Sequence, residues 1–294
     1  MPELPDLELY VQALQQRARG QPLREITILD PFVLRTVAPP IGVLVDREVH
    51  EVRRIGKRLI LSFNGDLHLA IHLMVAGRLR WLEGPPPAKP RALASLCFDT
   101  GTLLLTEAGT TRRAAMHVVS GSEGLRSLDR GGLEVFSIDL ATFAGRLTSE
   151  NHTVKRALTD PRLFAGIGNA YSDEILHRAR LSPVVLTSRL APDEIERLYE
   201  STRGVLSEWT VRLREKAGSR FPEKVTAFHP EMAVHGKYRQ PCPVCGAPVQ
   251  RIRYAANETN YCARCQTGGR LLADRALSRL LKQDWPRSID ESDR

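Results

Sequence analysis

The chain has 294 residues, of which 42% are hydrophobic and 26% are charged, and its formal net charge is +8. This composition is typical of a soluble globular protein, and the length allows two domains and a small appendage. No apolar run approaches the ~20 residues of a membrane span, and the first residues lack a signal-peptide pattern. We therefore expect a cytoplasmic protein and exclude a membrane protein and a secreted one.

The first predicted element is a helix over about residues 6–16, which follows Pro2-Glu3-Leu4-Pro5. Its apolar side chains recur at helical spacing, and Gly20 follows its end. Removal of the initiator methionine would leave Pro2 as the first residue. Its ring nitrogen would then be a free secondary amine, which can act as a nucleophile.

Short strands are predicted from about residue 26 to residue 106, and they favour an antiparallel sandwich or flattened barrel. They lie at residues 26–28, 43–45, 49–52, 59–63, 67–73, 78–82, 93–98 and 102–106. Asn64-Gly65 and Asp99-Thr100-Gly101 indicate turns between strands. Residues 121–135 are predicted to be an irregular connection to the next domain.

Helical patterns follow at residues 140–148, 154–158, 170–178 and 193–217, and they predict a helical domain. Between the second and third of these helices lies the sequence Gly166-Ile-Gly-Asn169. Its glycines allow a close approach of the backbone, and the free N–H groups at a helix start can bind phosphate. The alternative is that Asn169 only caps the helix.

Four of the five cysteines form two Cys-x2-Cys pairs, Cys242 with Cys245 and Cys262 with Cys265. This spacing favours one tetrahedral structural zinc ion over a redox pair or two disulfides. The residues between the pairs predict a β-hairpin that ends at Tyr261. A site closed by four sulfur atoms would hold the hairpin rigid, because a catalytic zinc ion keeps an open position.

Positive charge is concentrated in two segments. Residues 51–80 and residues 231–270 each contain six basic and two acidic side chains, so the two surpluses together equal the net charge of +8. Concentrated charge favours a polyanionic partner, although a solvated basic face is the alternative. A last helix is predicted within residues 271–281, followed by a polar, disordered run after Trp285.

Five motifs, in this order, resemble the formamidopyrimidine-DNA glycosylase/endonuclease VIII family of bifunctional DNA glycosylase/AP lyases. They are Met1-Pro-Glu-Leu-Pro5, Arg53-Arg-Ile-Gly-Lys-Arg58, His72-Leu-Met74, Gly166-Ile-Gly-Asn-Ala-Tyr171 and Tyr261-Cys-Ala-Arg-Cys-Gln266. The resemblance implies base-excision repair of double-stranded DNA that contains damaged bases or abasic sites. It also implies a monomer in a bacterial-type cytoplasm, associated with the nucleoid.

The implied architecture is an α+β multidomain fold. Residues 1–135 would form a catalytic β-sandwich domain with a flanking helix, and residues 136–230 a helix-two-turn-helix domain that binds DNA. Residues 231–268 would form a zinc ribbon that holds one structural zinc ion, and residues 269–294 a C-terminal extension beyond the usual end of the family.

The resemblance assigns the chemistry to Pro2, Glu3 and Lys57: Pro2 forms a Schiff base with the sugar, Glu3 shuttles protons and Lys57 donates a proton for β-elimination. Elementary chemistry favours Pro2 over Lys57 as nucleophile, unless Lys57 is deeply desolvated. An α-amino group has a pKa of about 7.7–8.0 and lysine about 10.4, so far more of the former is neutral at pH 7. Taken singly, each residue also has an ordinary explanation: a trimmed terminus, a carboxylate near a helix start and a solvated lysine.

Five further residues are assigned to DNA binding by the same resemblance. Met74 and Arg112 would fill the gap left by a nucleotide that leaves the stack, and Lys155 and Asn169 would hold phosphates. Asn257 falls where family members carry an arginine that contacts the phosphates of the damaged nucleotide.

Two positions depart from the family pattern. The missing charge at Asn257 leaves δ-elimination in doubt, and Ala114 stands where an aromatic wedge usually follows the paired arginines. A non-catalytic binder of damaged or distorted DNA is therefore the alternative to an enzyme. A zinc-ribbon protein without affinity for DNA is a third hypothesis, which the two basic segments disfavour.

Overall fold

The structure is a computed structural model, and it describes residues 1–88, 90–108, 112–223, 225–254, 257–273 and 287–292. The chain splits into two compact units. The first consists of Met1–Arg130 and Trp209–Ala227, and the second of Gly131–Glu208 and Phe228–Arg294. In the part of the chain that is described, no helix combines the length and the apolar character needed to cross a membrane.

The first unit contains one long helix, α1 (Leu4–Ala18), and two four-stranded antiparallel sheets. The strand order is β1-β6-β7-β5 in one sheet and β2-β3-β4-β8 in the other. The strands are β1 (Leu23–Ile28), β2 (Val49–Ile55), β3 (Arg58–Phe63), β4 (Leu67–His72), β5 (Gly77–Leu82), β6 (Ala94–Phe98), β7 (Gly101–Glu107) and β8 (Ala115–Ser120). Seven of the eight predicted strands are confirmed.

The prediction of a strand at residues 43–45 is wrong. Ile41–Leu44 form a turn of 3-10 helix that follows Pro40, and the Val45 N–H donates to the carbonyl of Gly42. The apolar run suggested a strand, but the neighbouring Pro40 and Gly42 favour a turn.

The prediction that residues 121–135 are irregular is wrong for Gly121–Leu128, which form helix α2. Its glycines and serines weaken the helical pattern in the sequence. In the structure Leu125 and Leu128 pack on Ile60 and Ala70 of the second sheet. A side chain at Gly124 would place its Cβ 2.9 Å from the Cβ of Val119, so close packing explains the glycine.

The second unit is mainly helical and contains a two-stranded ribbon. Its elements are α3 (Leu140–Leu147), α4 (Val154–Thr159), α5 (Asn169–Arg178), the first part of α6 (Pro192–Ala217), β9 (Val249–Tyr254), β10 (Asn257–Cys262), α7 (Ala263–Thr267) and α8 (Ile289–Ser292). The four helices predicted in this region are confirmed. Phe143 and Phe164 pack with ring centroids 4.8 Å apart in the core of this unit.

Residues 287–292 fold back onto the ribbon, so the prediction of disorder after Trp285 is wrong for them. Ser288 forms an antiparallel bridge with Arg270, and the Ile289 N–H donates to the carbonyl of Gly269. Ile289 is 2% exposed and belongs to the apolar core of the ribbon. Most of the helix predicted within residues 271–281 lies outside the described residues, and Leu271–Ala273 are not helical.

Candidate functional sites in the two units

The start of α1 is buried and rich in acidic groups. Pro2 is buried, and Glu3 is 3% exposed at the position that caps the helix. The Glu3 N–H donates to the Asp6 carboxylate over 2.8 Å, and the Glu3 carboxylate accepts from the Asp6 N–H. This reciprocal capping fixes both carboxylates beside the first residues of the chain.

Lys57 lies on the tight turn between β2 and β3. Ile55 pairs with Arg58, so Gly56 and Lys57 form a two-residue loop, and Gly56 has φ +56°, as such loops require. The Lys57 side chain is half-buried. Burial lowers the pKa of Lys57, against the opposing attraction of the Glu3 and Asp6 carboxylates.

The amino terminus shares this environment. Burial lowers the pKa of the Met1 amino group, the charges of Arg78 and Lys57 lower it further, and the charges of Glu3 and Asp6 raise it. These interactions bring together groups that are more than fifty residues apart in the sequence. We call Pro2, Glu3, Asp6, Lys57 and Arg78 the amine site.

Asp6 and Arg78 are members of the amine site that the sequence analysis missed. The spacing of Glu3 and Asp6 at the start of a helix was a usable signal, because it is the spacing of a capping box. Arg78 carried no comparable signal, since only the pairing of β5 within its sheet determines where its side chain lies.

His72, the first residue of the motif His72-Leu-Met74, lies at the end of β4 near Lys57. Burial lowers the pKa of His72 to about 4, and the charges of Arg58, Lys57 and His117 lower it as well. His72 is therefore neutral at physiological pH and can take part in hydrogen bonds without adding a charge.

Met74 lies in a tight loop between β4 and β5. Its φ is +52°, which is unusual for a residue with a side chain and costs about 1 kcal/mol or more. The Gly77 N–H donates to the carbonyl of Leu73, and a Cβ at Gly77 would lie 2.3 Å from that oxygen. The guanidinium of Arg78 also donates to the carbonyls of Val75 and Gly77. Arg78, a member of the amine site, therefore also binds the backbone of the loop that carries Met74.

Arg112 follows residues 109–111, which lie outside the described part of the chain. Its guanidinium forms an ion pair with Asp30, and its side chain is 57% exposed. Ala114, two residues later, is 2% exposed. Position 114 therefore offers no exposed wedge.

In the second unit, Lys155 and Asn169 lie side by side. The Lys155 ammonium donates to the Asn169 carbonyl over 3.0 Å, to the Ser172 hydroxyl over 2.9 Å, and to the Asp173 carboxylate. Asn169 is the first residue of α5, and Gly168 occupies the capping position. The alternative that Asn169 caps the helix is therefore wrong: its side-chain amide donates to the carbonyl of Glu258 over 2.8 Å.

Two buried acidic residues of α5, missed by the sequence analysis, connect this helix to the ribbon. Asp173 accepts a hydrogen bond from His235 Nδ1 at 2.8 Å and from the Asn260 N–H at 3.1 Å. Glu174 accepts from three successive N–H groups, those of Ala233, Val234 and His235. We call this set of hydrogen bonds, with that of Lys155, the α5 network.

The four cysteine sulfur atoms lie within 4.8 Å of one another. Cys242 and Cys265 are 3.9 Å apart and Cys245 and Cys262 are 3.4 Å apart, far beyond the ~2.05 Å of a disulfide. A tetrahedron with Zn–S bonds of ~2.3 Å has edges of about 3.8 Å. The observed spacing therefore fits one zinc ion bound by all four cysteines.

The surroundings of the sulfur atoms fit a structural zinc site as well. Burial raises the pKa of Cys262 to about 11, so a cation is needed to keep this thiol ionised. His177 Nε2 lies 3.3 Å from the sulfur of Cys242, and the Cys265 N–H donates to the sulfur of Cys262. Such outer contacts orient the ligands and stabilise their charge.

Asn257 is the first residue of β10, where it pairs with Tyr254. Nearby positions of the hairpin carry charged side chains. Glu258 pairs with Arg253 across the hairpin, and the Glu258 carboxylate forms ion pairs with both Arg251 and Arg253.

Comparison with known protein families gives three matches along the chain. Residues 1–114 match the formamidopyrimidine-DNA glycosylase N-terminal domain, residues 133–220 the H2TH domain of formamidopyrimidine-DNA glycosylase, and residues 239–268 the zinc finger found in FPG and IleRS.

Similar proteins extend over nearly the whole chain. The formamidopyrimidine-DNA glycosylase of Thermus thermophilus is 36% identical over 282 residues, which is 92% of this chain and 100% of the relative. The crystal structure of MutM (FPG) from the same organism has a TM-score of 0.76 at 32% identity and covers 90% of this chain and 98% of its own. The complex of Lactococcus lactis Fpg with DNA that contains an abasic site has a TM-score of 0.79 at 25% identity, covering 90% and 99%.

Proposed function

We propose the function from one premise: the chain belongs to the formamidopyrimidine-DNA glycosylase family. On this premise the protein is a base-excision repair enzyme that removes oxidised bases from double-stranded DNA and then nicks the strand at the abasic site. The relative from L. lactis was solved with DNA that contains an abasic site, which supports this class of substrate.

The observation that carries the proposal is the composition of the amine site. Burial lowers the pKa of the Met1 amino group despite the opposing charges of Glu3 and Asp6, so this environment favours a neutral, nucleophilic amine. When Met1 is removed, the ring nitrogen of Pro2 becomes the terminal amine in this environment. A carboxylate and a second amine of lowered pKa lie beside it, and these are the groups that acid–base chemistry at a sugar requires.

The first reaction would exchange the bond between C1′ and the base for a bond between C1′ and the enzyme. The nitrogen of Pro2 attacks C1′ of the deoxyribose, the bond from C1′ to the base breaks, and the base leaves as an anion that takes a proton from water. Glu3 takes the proton that the Pro2 nitrogen loses and returns it during ring opening. The product is a Schiff base between Pro2 and the sugar.

The second reaction would break the strand by β-elimination. A water molecule takes a proton from C2′, the bond from C3′ to the phosphate oxygen breaks, and Lys57 donates a proton to the departing phosphate. A lysine of lowered pKa is a stronger acid than an exposed lysine, so desolvation of Lys57 suits this role.

The remaining predicted site residues would bind the DNA. Met74, on its strained loop, and Arg112 would replace the extruded nucleotide in the stack. Asn169 and Lys155, at the start of α5, would face phosphates, and Asn257 would lie nearby on the ribbon. Since Lys155 already donates to Asp173, we expect it to act mainly by positioning Asn169.

Several broader predictions accompany this function. The protein would act as a monomer in the cytoplasm, with the four-cysteine site occupied by one zinc ion. The division into domains at residues 1–135, 136–230, 231–268 and 269–294 stays a prediction.

Chemical trapping tests the proposal. Incubation with a duplex that contains an abasic site, followed by borohydride, should give a covalent protein–DNA adduct, and mass spectrometry should place it on Pro2. A protein with a blocked amino terminus should give none. Tight binding of damaged DNA without adduct or nick would instead support the non-catalytic binder suggested by Asn257 and Ala114.

A further inference from the structure

One face of the ribbon hairpin carries a linked set of polar residues. Because side chains alternate along paired strands, Arg251, Arg253, Glu258 and Asn260 share this face. Asn169 at the start of α5 approaches the same strand, where its side-chain amide donates to the Glu258 carbonyl. The face is therefore positioned beside α5.

Glu258 organises the two arginines of this face. Its carboxylate lies 3.3 Å from Arg251 and 3.6 Å from Arg253, and it accepts from the Asn260 side-chain amide over 2.9 Å. Two guanidinium groups share one carboxylate, so one positive charge is left over on this face.

The two arginines differ in what surrounds them. Arg251 is 28% exposed and lies 4.0 Å from the ring centroid of Tyr238, which holds it against the protein. Arg253 is 62% exposed, so its guanidinium is accessible to an anion from solution. A guanidinium oriented by a carboxylate binds a phosphate group at a lower cost in side-chain entropy than a free one.

We propose that Arg253, oriented by Glu258 beside Asn169, binds a backbone phosphate of the damaged strand and supplies the ribbon charge that Asn257 lacks. This inference rests on the proposed function and extends it, because it names a residue that binds the substrate. Arg251 and Glu258 act as positioning residues in this arrangement.

The test is DNA binding by Arg253→Ala, measured by fluorescence anisotropy with a duplex that carries a tetrahydrofuran abasic-site analogue. A charge-assisted contact is worth about 1.5–3 kcal/mol, so the dissociation constant should rise about ten- to a hundredfold at low salt. The slope of the logarithm of affinity against the logarithm of salt concentration should decrease by about one.

Arg264→Ala is the matched control, because Arg264 is also an exposed ribbon arginine beside a carboxylate, that of Asp290. It should keep the wild-type affinity and salt slope. The double variant Arg253→Ala/Asn257→Arg should regain affinity, since it returns a cation to the hairpin. Measured zinc content of one ion per chain in each variant would establish that the ribbon is folded.

Equal affinity and equal salt slope for Arg253→Ala and Arg264→Ala would overturn the proposal. This outcome is distinct from failure of the proposed function, because equilibrium binding of the analogue requires no Schiff base. A wild-type protein that binds the analogue through Arg253 but traps no abasic site would overturn the enzyme assignment alone.

Discussion

The amine site and the α5 network are both buried polar clusters, but they differ in how far neighbouring groups stabilise their charges. In the α5 network, Lys155, Asp173 and Glu174 are surrounded by hydrogen-bond partners at 2.8–3.1 Å. In the amine site, two amino groups have pKa values lowered by burial, and two carboxylates only partly offset this effect.

This difference indicates which cluster can perform chemistry. A fully satisfied network stabilises one arrangement of its residues, so it is suited to holding helix and ribbon together. Groups with pKa values displaced by desolvation are characteristic of catalytic sites. The same kind of substitution should therefore change the rate in the first unit and the stability in the second.

The largest effect is expected for Lys57→Met. Loss of the proton donor should slow strand cleavage about 10²- to 10⁴-fold, while borohydride trapping of the Schiff base persists. Single-turnover kinetics on an abasic duplex measure both steps. The melting temperature should stay near that of the wild type, since the substitution removes an ammonium group that burial destabilises. A large loss of stability with unchanged cleavage would show that Lys57 stabilises the fold and does not take part in the chemistry.

Asp173→Asn should act on stability. It removes the carboxylate that accepts from Lys155, His235 and the Asn260 N–H, all of them buried or nearly so. Breaking a buried ion pair costs about 3–5 kcal/mol. Thermal unfolding, together with hydrogen exchange of the α5 amides, measures this loss. Asp193→Asn, which affects an exposed pair with Arg197, is the control and should cost less than about 0.5 kcal/mol.

Ile289→Ala extends the comparison to the ribbon core. Ile289 packs in this core and is 2% exposed. Truncation of a buried isoleucine lowers the free energy of unfolding by about 2–5 kcal/mol. We expect faster release of zinc to a chromogenic chelator and normal chemistry at the amine site. Val244→Ala, at a residue that is 61% exposed, is the control. Unchanged zinc release from the Ile289 variant would show that residues 287–292 do not stabilise the ribbon.

The smallest effect concerns pH. An amine reacts in its neutral form, which dominates above its pKa, so a lowered pKa should bring the trapping rate to its plateau at a lower pH than for a peptide with the same first residues. Arg78→Gln removes a cation that lowers this pKa. The midpoint should then move upward. A midpoint that moves downward would contradict the assigned role of Arg78.

Local signals in the sequence predicted much of the fold. The alternation of apolar residues and the turn at Asn64-Gly65 gave the strands of the first unit, and cysteine spacing gave the zinc site. Helix α2 was missed because its glycines hide the pattern, and only the packing of Leu125 and Leu128 on a distant strand accounts for it. Such packing is absent from any local window of sequence.

The candidate site shows the same limit. Pro2, Glu3 and Lys57 came from motifs, but Arg78 joins them only through the pairing of its sheet. Asp173 and Glu174 looked like ordinary helical residues, because their partners in the ribbon segment lie about sixty or more residues further along the chain. Residues that lie in recognisable motifs were therefore predictable from the sequence, whereas residues whose role depends only on the tertiary fold were not.

The reciprocal hydrogen bonds between Glu3 and Asp6 give one side chain two duties, since the group proposed to move protons also anchors the first turn of α1. Any fraying of that turn would displace the terminal nitrogen and misalign its proton acceptor together. Local unfolding of that turn would therefore abolish catalysis even while the surrounding sheets stay folded.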